Sequence, residues 1–274
     1  MKKRLMFNFY ITKDWKDNYM NKIHFYCLKY YSHIFTEIIF MVSIDDLDDK
    51  ETLFDFEEYI LSLRLCPSIH FMIKPNHIFR EGKNFYDEIA TKLDKLDGLT
   101  FFAHNKGITN YTDSRYYKED VKRWVTSMYF GCLDNMDEAI FVMTEDRCVS
   151  YGTLFDILTI GEDEDKTFYE NGHIWFGKHK YFYMGTFFWL NAFALVSYMK
   201  NSDTSIPILS DRWYAENFLS NIIDYGFCGT YDYRTTFNHT GFGVKDIEHL
   251  INFSFGDKVD KYNDFHNNVL SNIE

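Results

Sequence analysis

Over about the first hundred residues, short apolar runs alternate with longer stretches in which apolar positions recur every three or four residues. Leu5 to Ile11, Glu37 to Ile44, Ile69 to Ile73 and Leu99 to Ala103 read as strands. Asn21 to Phe35, Glu51 to Leu65 and Phe85 to Leu96 have helical spacing between them. Strands joined by helices of this length run parallel, because each helix carries the chain back to the end where the previous strand began. The predicted fold class is α/β, with a mostly parallel central sheet flanked by helices on both faces.

The pattern is less regular afterwards. Ser114 to Phe130 reads as a helix capped by Ser114, with Val121, Trp124, Val125 and Met128 on one face and Arg115, Lys118 and Lys122 on another. Glu119 and Arg123 have the i, i+4 spacing of an ion pair on that helix. Ala139 to Met143, Ile174 to Phe176 and Phe182 to Met184 read as strands, and Gly161 to Gly172 as an exposed acidic loop. Phe188 to Lys200 and Asp211 to Asp224 read as helices, whereas Gly226, Gly229, Gly241, Gly243 and Gly256 break up the last fifty residues. No repeat or linker divides the chain, so a single domain over residues 1–274 is expected.

Composition narrows the function classes. A formal net charge of -12 lacks the basic footprint of a general nucleic-acid binder, so an anionic ligand has to meet a local basic site. The five cysteines, Cys27, Cys66, Cys132, Cys148 and Cys228, form no close pair, which fits a reducing, cytoplasmic setting better than a disulfide framework or a zinc site. His173, His179 and His239 have no metal spacing. Tyr181 to Met199 carries no charge and approaches the length of a membrane span. Gly185, Thr186, Asn191 and Ser197 interrupt it, and its aromatics form no interfacial belts; a strand running into a buried helix is expected, with no transmembrane segment.

Candidate chemistry gathers where the fourth apolar run stops, at His104-Asn105-Lys106-Gly107. Ligands of open α/β sheets bind outside the strand carboxyl ends; a glycine there lets the backbone approach closely and a lysine supplies positive charge for phosphate. If that crevice takes a nucleotide, the same placement leads Tyr10 or Thr12, after the first strand, to be expected to line the base pocket, and Asp45, after the second, to bind ribose or base. Two acidic triplets, Asp46-Leu47-Asp48 and Asp163-Glu164-Asp165, have the Asp-x-Asp form that holds a divalent cation against a diphosphate, but neither follows the fourth strand. Lys106, aided by Arg115 or Lys118, offers diphosphate compensation without a required cofactor, leaving Mn or Mg permitted but not needed.

Three blocks between about residues 99 and 220 resemble a family of nucleotide-sugar glycosyltransferases found in bacterial capsule and lipopolysaccharide clusters and in large DNA viruses. His104-Asn105-Lys106-Gly107 is similar to the family's His-Thr-Lys-Gly. Phe182-Tyr183-Met184-Gly185-Thr186-Phe187-Phe188-Trp189 is similar to its Phe-x-Gly-Asn-Phe-Trp-Trp, and Arg212-Trp213-Tyr214-Ala215-Glu216, followed by Phe218, to its Arg-x-x-Ala-Glu. Asn105 and Thr186 depart from the pattern. The resemblance implies a glycosyltransferase A type fold, with a Rossmann-like nucleotide-sugar-binding half over residues 1–110 and an acceptor-binding half over 111–274. It implies a nucleotide diphosphate sugar as donor and a glycan hydroxyl as acceptor.

In an inverting transfer a carboxylate takes the proton of the attacking hydroxyl; Glu216 is the candidate base and Asp211 the reserve, with an Arg212–Glu216 ion pair as the structural alternative. Gly185 permits close donor approach, and Phe188 and Trp189 either stack on a sugar ring or belong to the core. Two other function classes fit the composition: a metal-dependent phosphate-ester hydrolase using the acidic triplets, and a non-catalytic carbohydrate-binding or assembly protein.

Overall fold

The computed structural model describes residues 1–77, 80–92, 97–105, 117–144, 148–153, 155–158, 168–170, 173–175, 180–183, 187–202, 218–223, 228–230, 237–238 and 247–273. Its strands are β1 (Lys3–Tyr10), β2 (Glu37–Ile44), β3 (Ile69–Pro75), β4 (Leu99–His104), β5 (Ser150–Gly152), β6 (Phe155–Leu158), β7 (Phe168–Glu170), β8 (His173–Trp175), β9 (Lys180–Tyr183), β10 (Phe188–Asn191), β11 (Cys228–Thr230) and β12 (Phe237–Asn238). The helices are α1 (Tyr19–Tyr30), α2 (Lys50–Ser62), α3 (Arg80–Lys92), α4 (Lys118–Leu133), α5 (Met136–Thr144), α6 (Ala192–Ser202), α7 (Ile247–Phe255) and α8 (Val259–Ser271).

Seven strands form one mixed sheet in the order β11-β5-β10-β4-β1-β2-β3. The β4-β1-β2-β3 half is parallel throughout, and β10 runs antiparallel to both β4 and β5. Smaller sheets join β12, β6 and β9, and pair β7 with β8. The class is therefore α/β, mostly parallel and flanked by helices, as the alternating pattern implies.

Alternation along each strand divides the core into two. Leu5, Phe7 and Phe9 of β1 face the side covered by α1, α2, α4, α7 and α8, with Phe40, Phe56, Phe101 and Trp189 among their buried neighbours. Met6, Met41 and Phe102 face the other side, where Phe85 and Ile89 of α3 and Leu195 of α6 pack. The chain steps from β1 through β2 to β3, then returns past β1 to β4. Because βαβ crossovers are right-handed, reversing the direction of travel places α3 on the face opposite α1 and α2. That reversal opens a switch point between β1 and β4 at their carboxyl ends. Gly98, at φ +70°, makes the turn into β4; a Cβ there would lie 2.2 Å from the Lys2 carbonyl oxygen, so no other residue fits without moving the backbone.

Several local expectations are corrected. Ala139 to Met143 is helical, within α5: Asp137 and Glu138 favour a helix start, and Ala139, Val142 and Met143 bury at helical spacing. Phe188 to Asn191 is strand, and α6 begins only at Ala192, because Asn191 caps it by accepting from the Ala194 N–H at 3.1 Å. α4 starts at Lys118 after Tyr117, which makes no side-chain cap; Ser114 lies outside the described residues. Within the expected loop at Gly161 to Gly172, Phe168–Glu170 pairs with β8. Of the helix expected over Asp211 to Asp224, residues 218–221 form a 3-10 turn, and 211–217 and 224 lie outside the described residues. The unreadable C-terminal region contains α7 and α8, which close the α1 face through Leu250, Phe255, Tyr262 and Phe265. Among the described residues, no helix is long and apolar enough to cross a membrane.

Candidate functional site

At the carboxyl ends of β1, β2 and β4 the face toward α3 changes character within one repeat of each strand. Met6, Met41 and Phe102 are buried apolar residues, whereas Asn8, Ser43 and His104, two positions further along, are buried polar ones. Asn84 of α3 donates to the Asn8 Oδ1 and, at 3.1 Å, to the Ser43 Oγ; Ser43 in turn donates to Asn8 at 3.3 Å. Burying these groups is tolerable because they satisfy one another. They form a polar floor where a purely structural core would continue apolar.

Above this floor, the Tyr10 hydroxyl donates to Asp45 Oδ2 at 2.6 Å, and Asn76 Nδ2, just past β3, donates to Asp45 Oδ1 at 2.9 Å. The ends of three adjacent strands are thus tied through one exposed carboxylate. The hydrogen bond from Tyr10, and then that from Asn76, hold the Asp45 carboxyl below its ordinary value, so it is ionised at neutral pH. An ionised carboxylate only accepts hydrogen bonds. It suits ligand N–H or O–H groups and repels phosphate.

Asn105 sits at the switch point, 7% exposed, and acts as a surrogate peptide group. Its Oδ1 accepts from the Tyr10 N–H at 3.0 Å, and its Nδ2 donates to the Tyr10 carbonyl at 3.0 Å and to Asn21 Oδ1 at 3.2 Å. Its own N–H donates to the Asn8 carbonyl at 3.2 Å. The pairing of β1 with β4 is thereby extended by one side chain. The expected donor contact is replaced at Asn105 by this pinning role, because both amide groups already face the chain. His104 is buried, with its ring beside Phe85 and Phe187. Thr12 turns its hydroxyl to Asp14 at 2.8 Å, inside the turn that leads to α1.

The structure brings Tyr10, Asp45, His104 and Asn105 to one end of the sheet. Phe188 and Trp189 do not join them as ligand platforms. Trp189 is fully buried, stacks with Phe35 and Phe101, and donates its indole N–H to the Cys132 carbonyl at 2.8 Å. Phe188, on the opposite face, stacks on Phe102. Both are core residues, which corrects the sugar-stacking expectation: a strand between β4 and β5 is covered on both sides, so neither ring faces solvent. Lys106, Gly107, Arg115, Gly185, Asp211 and Glu216 lie outside the described residues. The expected Glu119–Arg123 pair is also replaced: Glu119 meets Lys122 at 3.2 Å and His266 at 3.0 Å, and Arg123 donates to Asn263.

Sequence reading missed Asn76, Asn84, Asn8 and Ser43. The available signal was a polar residue at an inward position near the end of an apolar strand, visible for Asn8 and Ser43 once the strand is phased. Asn76 and Asn84 required knowing where α3 docks. No protein-family model matches the chain, and no curated protein gives a significant match.

Proposed function

We propose that this protein is a glycosyltransferase of the glycosyltransferase A type, moving a hexose from a nucleotide diphosphate sugar to a glycan hydroxyl in the cytoplasm, with inversion and without a required metal. The observation that carries the reading is the polar cluster at the strand carboxyl ends: Tyr10, Asp45 and Asn76 meet at the ends of β1, β2 and β3, and β4, on the other side of β1, continues in sequence into Lys106 and Gly107. The resemblance of the three sequence blocks also supports it.

In this reading the donor lies across the strand ends. Asp45 accepts from hydroxyl or N–H groups of the nucleoside, since its charge disfavours the phosphates. Lys106 compensates the diphosphate, aided by Arg115 or Lys118. Glu216 accepts the proton of the acceptor hydroxyl as its oxygen forms the new bond to the anomeric carbon; the bond to the diphosphate oxygen breaks, and the nucleoside diphosphate leaves with that electron pair. Asp211 is the reserve base.

A thermal-shift panel of nucleotide sugars, with and without manganese, tests the assignment, because a ligand that binds only the native state raises its melting temperature. A shift with at least one donor in the absence of metal is expected, and no shift with any donor overturns it. Lys106→Ala is expected to weaken the donor shift, and Glu216→Gln to keep the shift and lose turnover. Normal turnover of Glu216→Gln would exclude that residue as the base.

A further inference from the structure

We propose, on the transferase reading above, that the donor nucleotide carries guanine and that Asp45 and Asn76 together read the pairing edge of that base. Ile44 and Pro75, the last residues of β2 and β3, are register partners, so Asp45 and Asn76 follow as the next pair beyond the strand ends. Both are exposed. Asp45 Oδ2 accepts from the Tyr10 hydroxyl at 2.6 Å and Oδ1 from Asn76 Nδ2 at 2.9 Å, which holds the carboxylate from both sides. An ionised carboxylate has about four acceptor positions, so each oxygen keeps one. Asp45 accepts no other hydrogen bond among the described residues, and the second Nδ2 hydrogen of Asn76 meets no acceptor among them. In order, Oδ2, Oδ1 and Nδ2 present acceptor, acceptor and donor.

Guanine carries the complement in the same order: its 2-amino group and N1–H donate and O6 accepts. Uracil has one donor between two carbonyls, and sets the second carbonyl against Oδ2. Adenine and cytosine can pair an exocyclic amine with Oδ1 and a ring nitrogen with Nδ2, leaving Oδ2 without a partner. Of the four bases, guanine fills all three positions. The cis hydroxyls of ribose would also satisfy the carboxylate, but ribose adjoins the phosphates whereas the pairing edge is the far end of the nucleotide. β2 is two strands from β4, about 10 Å at the usual spacing, so a diphosphate at the β4 exit brings the base and not ribose to Asp45. Asp46, Asp48 and Asp49 follow directly and repel phosphate. Asp46 and Asp49 accept from the Asp48 and Thr52 N–H groups at 2.9 and 3.1 Å, within the turn into α2.

Titration calorimetry of the intact chain with GDP, UDP, ADP, CDP and inosine diphosphate, which is GDP without the 2-amino group, tests the proposal. GDP is expected to bind tightest, and inosine diphosphate about tenfold more weakly. In Asp45→Asn an amide nitrogen replaces Oδ2. The preference for GDP over inosine diphosphate is then expected to vanish, and xanthosine diphosphate, with an oxygen in place of the 2-amino group, to bind tighter than GDP. A misfolded variant could not gain that ligand, and the wild-type comparison requires no variant. UDP, ADP or CDP binding tighter than GDP, or equal wild-type affinities for GDP and inosine diphosphate, would overturn guanine recognition and leave the transferase reading standing. A GDP preference that survives Asp45→Asn would overturn the role of Asp45. Binding of none of the five nucleotides would overturn the transferase reading, and guanine recognition with it.

Discussion

Replacing Asn105 by alanine removes the side chain that ties the end of β4 to the end of β1. Three hydrogen bonds go with it: two to the Tyr10 backbone, at 3.0 Å each, and one to Asn21 Oδ1 at 3.2 Å. At about 0.5–1.5 kcal/mol net per neutral bond, the loss is about 2–4 kcal/mol, toward the upper end because the fully buried Asn21 is left with an unpaired oxygen. That is a large share of a domain's typical stability of about 5–15 kcal/mol, and corresponds to roughly 5–15 °C in melting temperature. Asn105→Thr, which installs the residue of the resembling family, can restore one bond at most and is expected to fall between. Asn105→Asp keeps the acceptor for the Tyr10 N–H but turns an ionised oxygen toward the Tyr10 carbonyl and Asn21 Oδ1. Its deficit is expected to match or exceed that of alanine at neutral pH, and to shrink on acidification as the introduced carboxyl protonates and becomes a donor. Urea denaturation followed by circular dichroism at pH 7.5 and 5.5, each referred to wild type, measures both effects. A loss under about 1 kcal/mol for Asn105→Ala, or wild-type stability for Asn105→Asp at pH 7.5, would refute the pinning role. If Asn105 were instead a ligand contact, alanine would weaken donor binding and leave the denaturation midpoint in place.

Two further predictions concern stability. Gly131 lies within α4, where a Cβ would sit 2.3 Å from Thr153 Oγ1 and 2.4 Å from its Cβ; Gly131→Ala is expected to destabilise by about 1–2 kcal/mol, overpacking outweighing the gain in helix propensity, and a stabilised protein in the same denaturation assay would contradict the contact. His266 of α8 is buried, with Nδ1 2.9 Å from Thr126 Oγ1 and Nε2 3.0 Å from Glu119 Oε1. Burial holds its imidazole below the ordinary 6.5, against the pull of Glu119. Burial raises the Glu119 carboxyl, but hydrogen bonds from His266 and Lys122 outweigh it and leave it below the ordinary 4.5. For both groups the unfolded chain binds the proton more readily, so their contribution is complete above about pH 6.5 and is lost as pH falls through the folded values, first for His266 and then for Glu119. His266→Gln is expected to flatten the first part of that decline, and an unchanged profile between pH 7.5 and 5 would refute it.

The legibility of the fold varied along the chain for physical reasons. β2 is legible to the residue because a strand inside a parallel sheet is buried on both faces, which here leaves the apolar run Ile38 to Val42. The segment now seen as α5 was misread because nine residues with Ala139, Val142 and Met143 buried look the same as a short strand until their neighbours are known. Phe188 and Trp189 show the same limit at the site: an aromatic pair after a turn looks identical in sequence whether it faces a ligand or the core. Asn105 departs from the motif of the resembling family, but its partners, Tyr10 and Asn21, are far from it in the chain.

The sequence by itself determined the βα alternation and the parallel half of the sheet, because burial periodicity is a local property of the chain. Only the tertiary structure decided which polar residues converge at its strand ends. Tyr10, Asp45, Asn76 and Asn84 come from four segments, and the register of β1 against β2 and β4, together with the docking of α3, sets their distances. Hydrogen bonding reaches only about 3 Å, so a spacing in sequence cannot predict it until the backbone has closed.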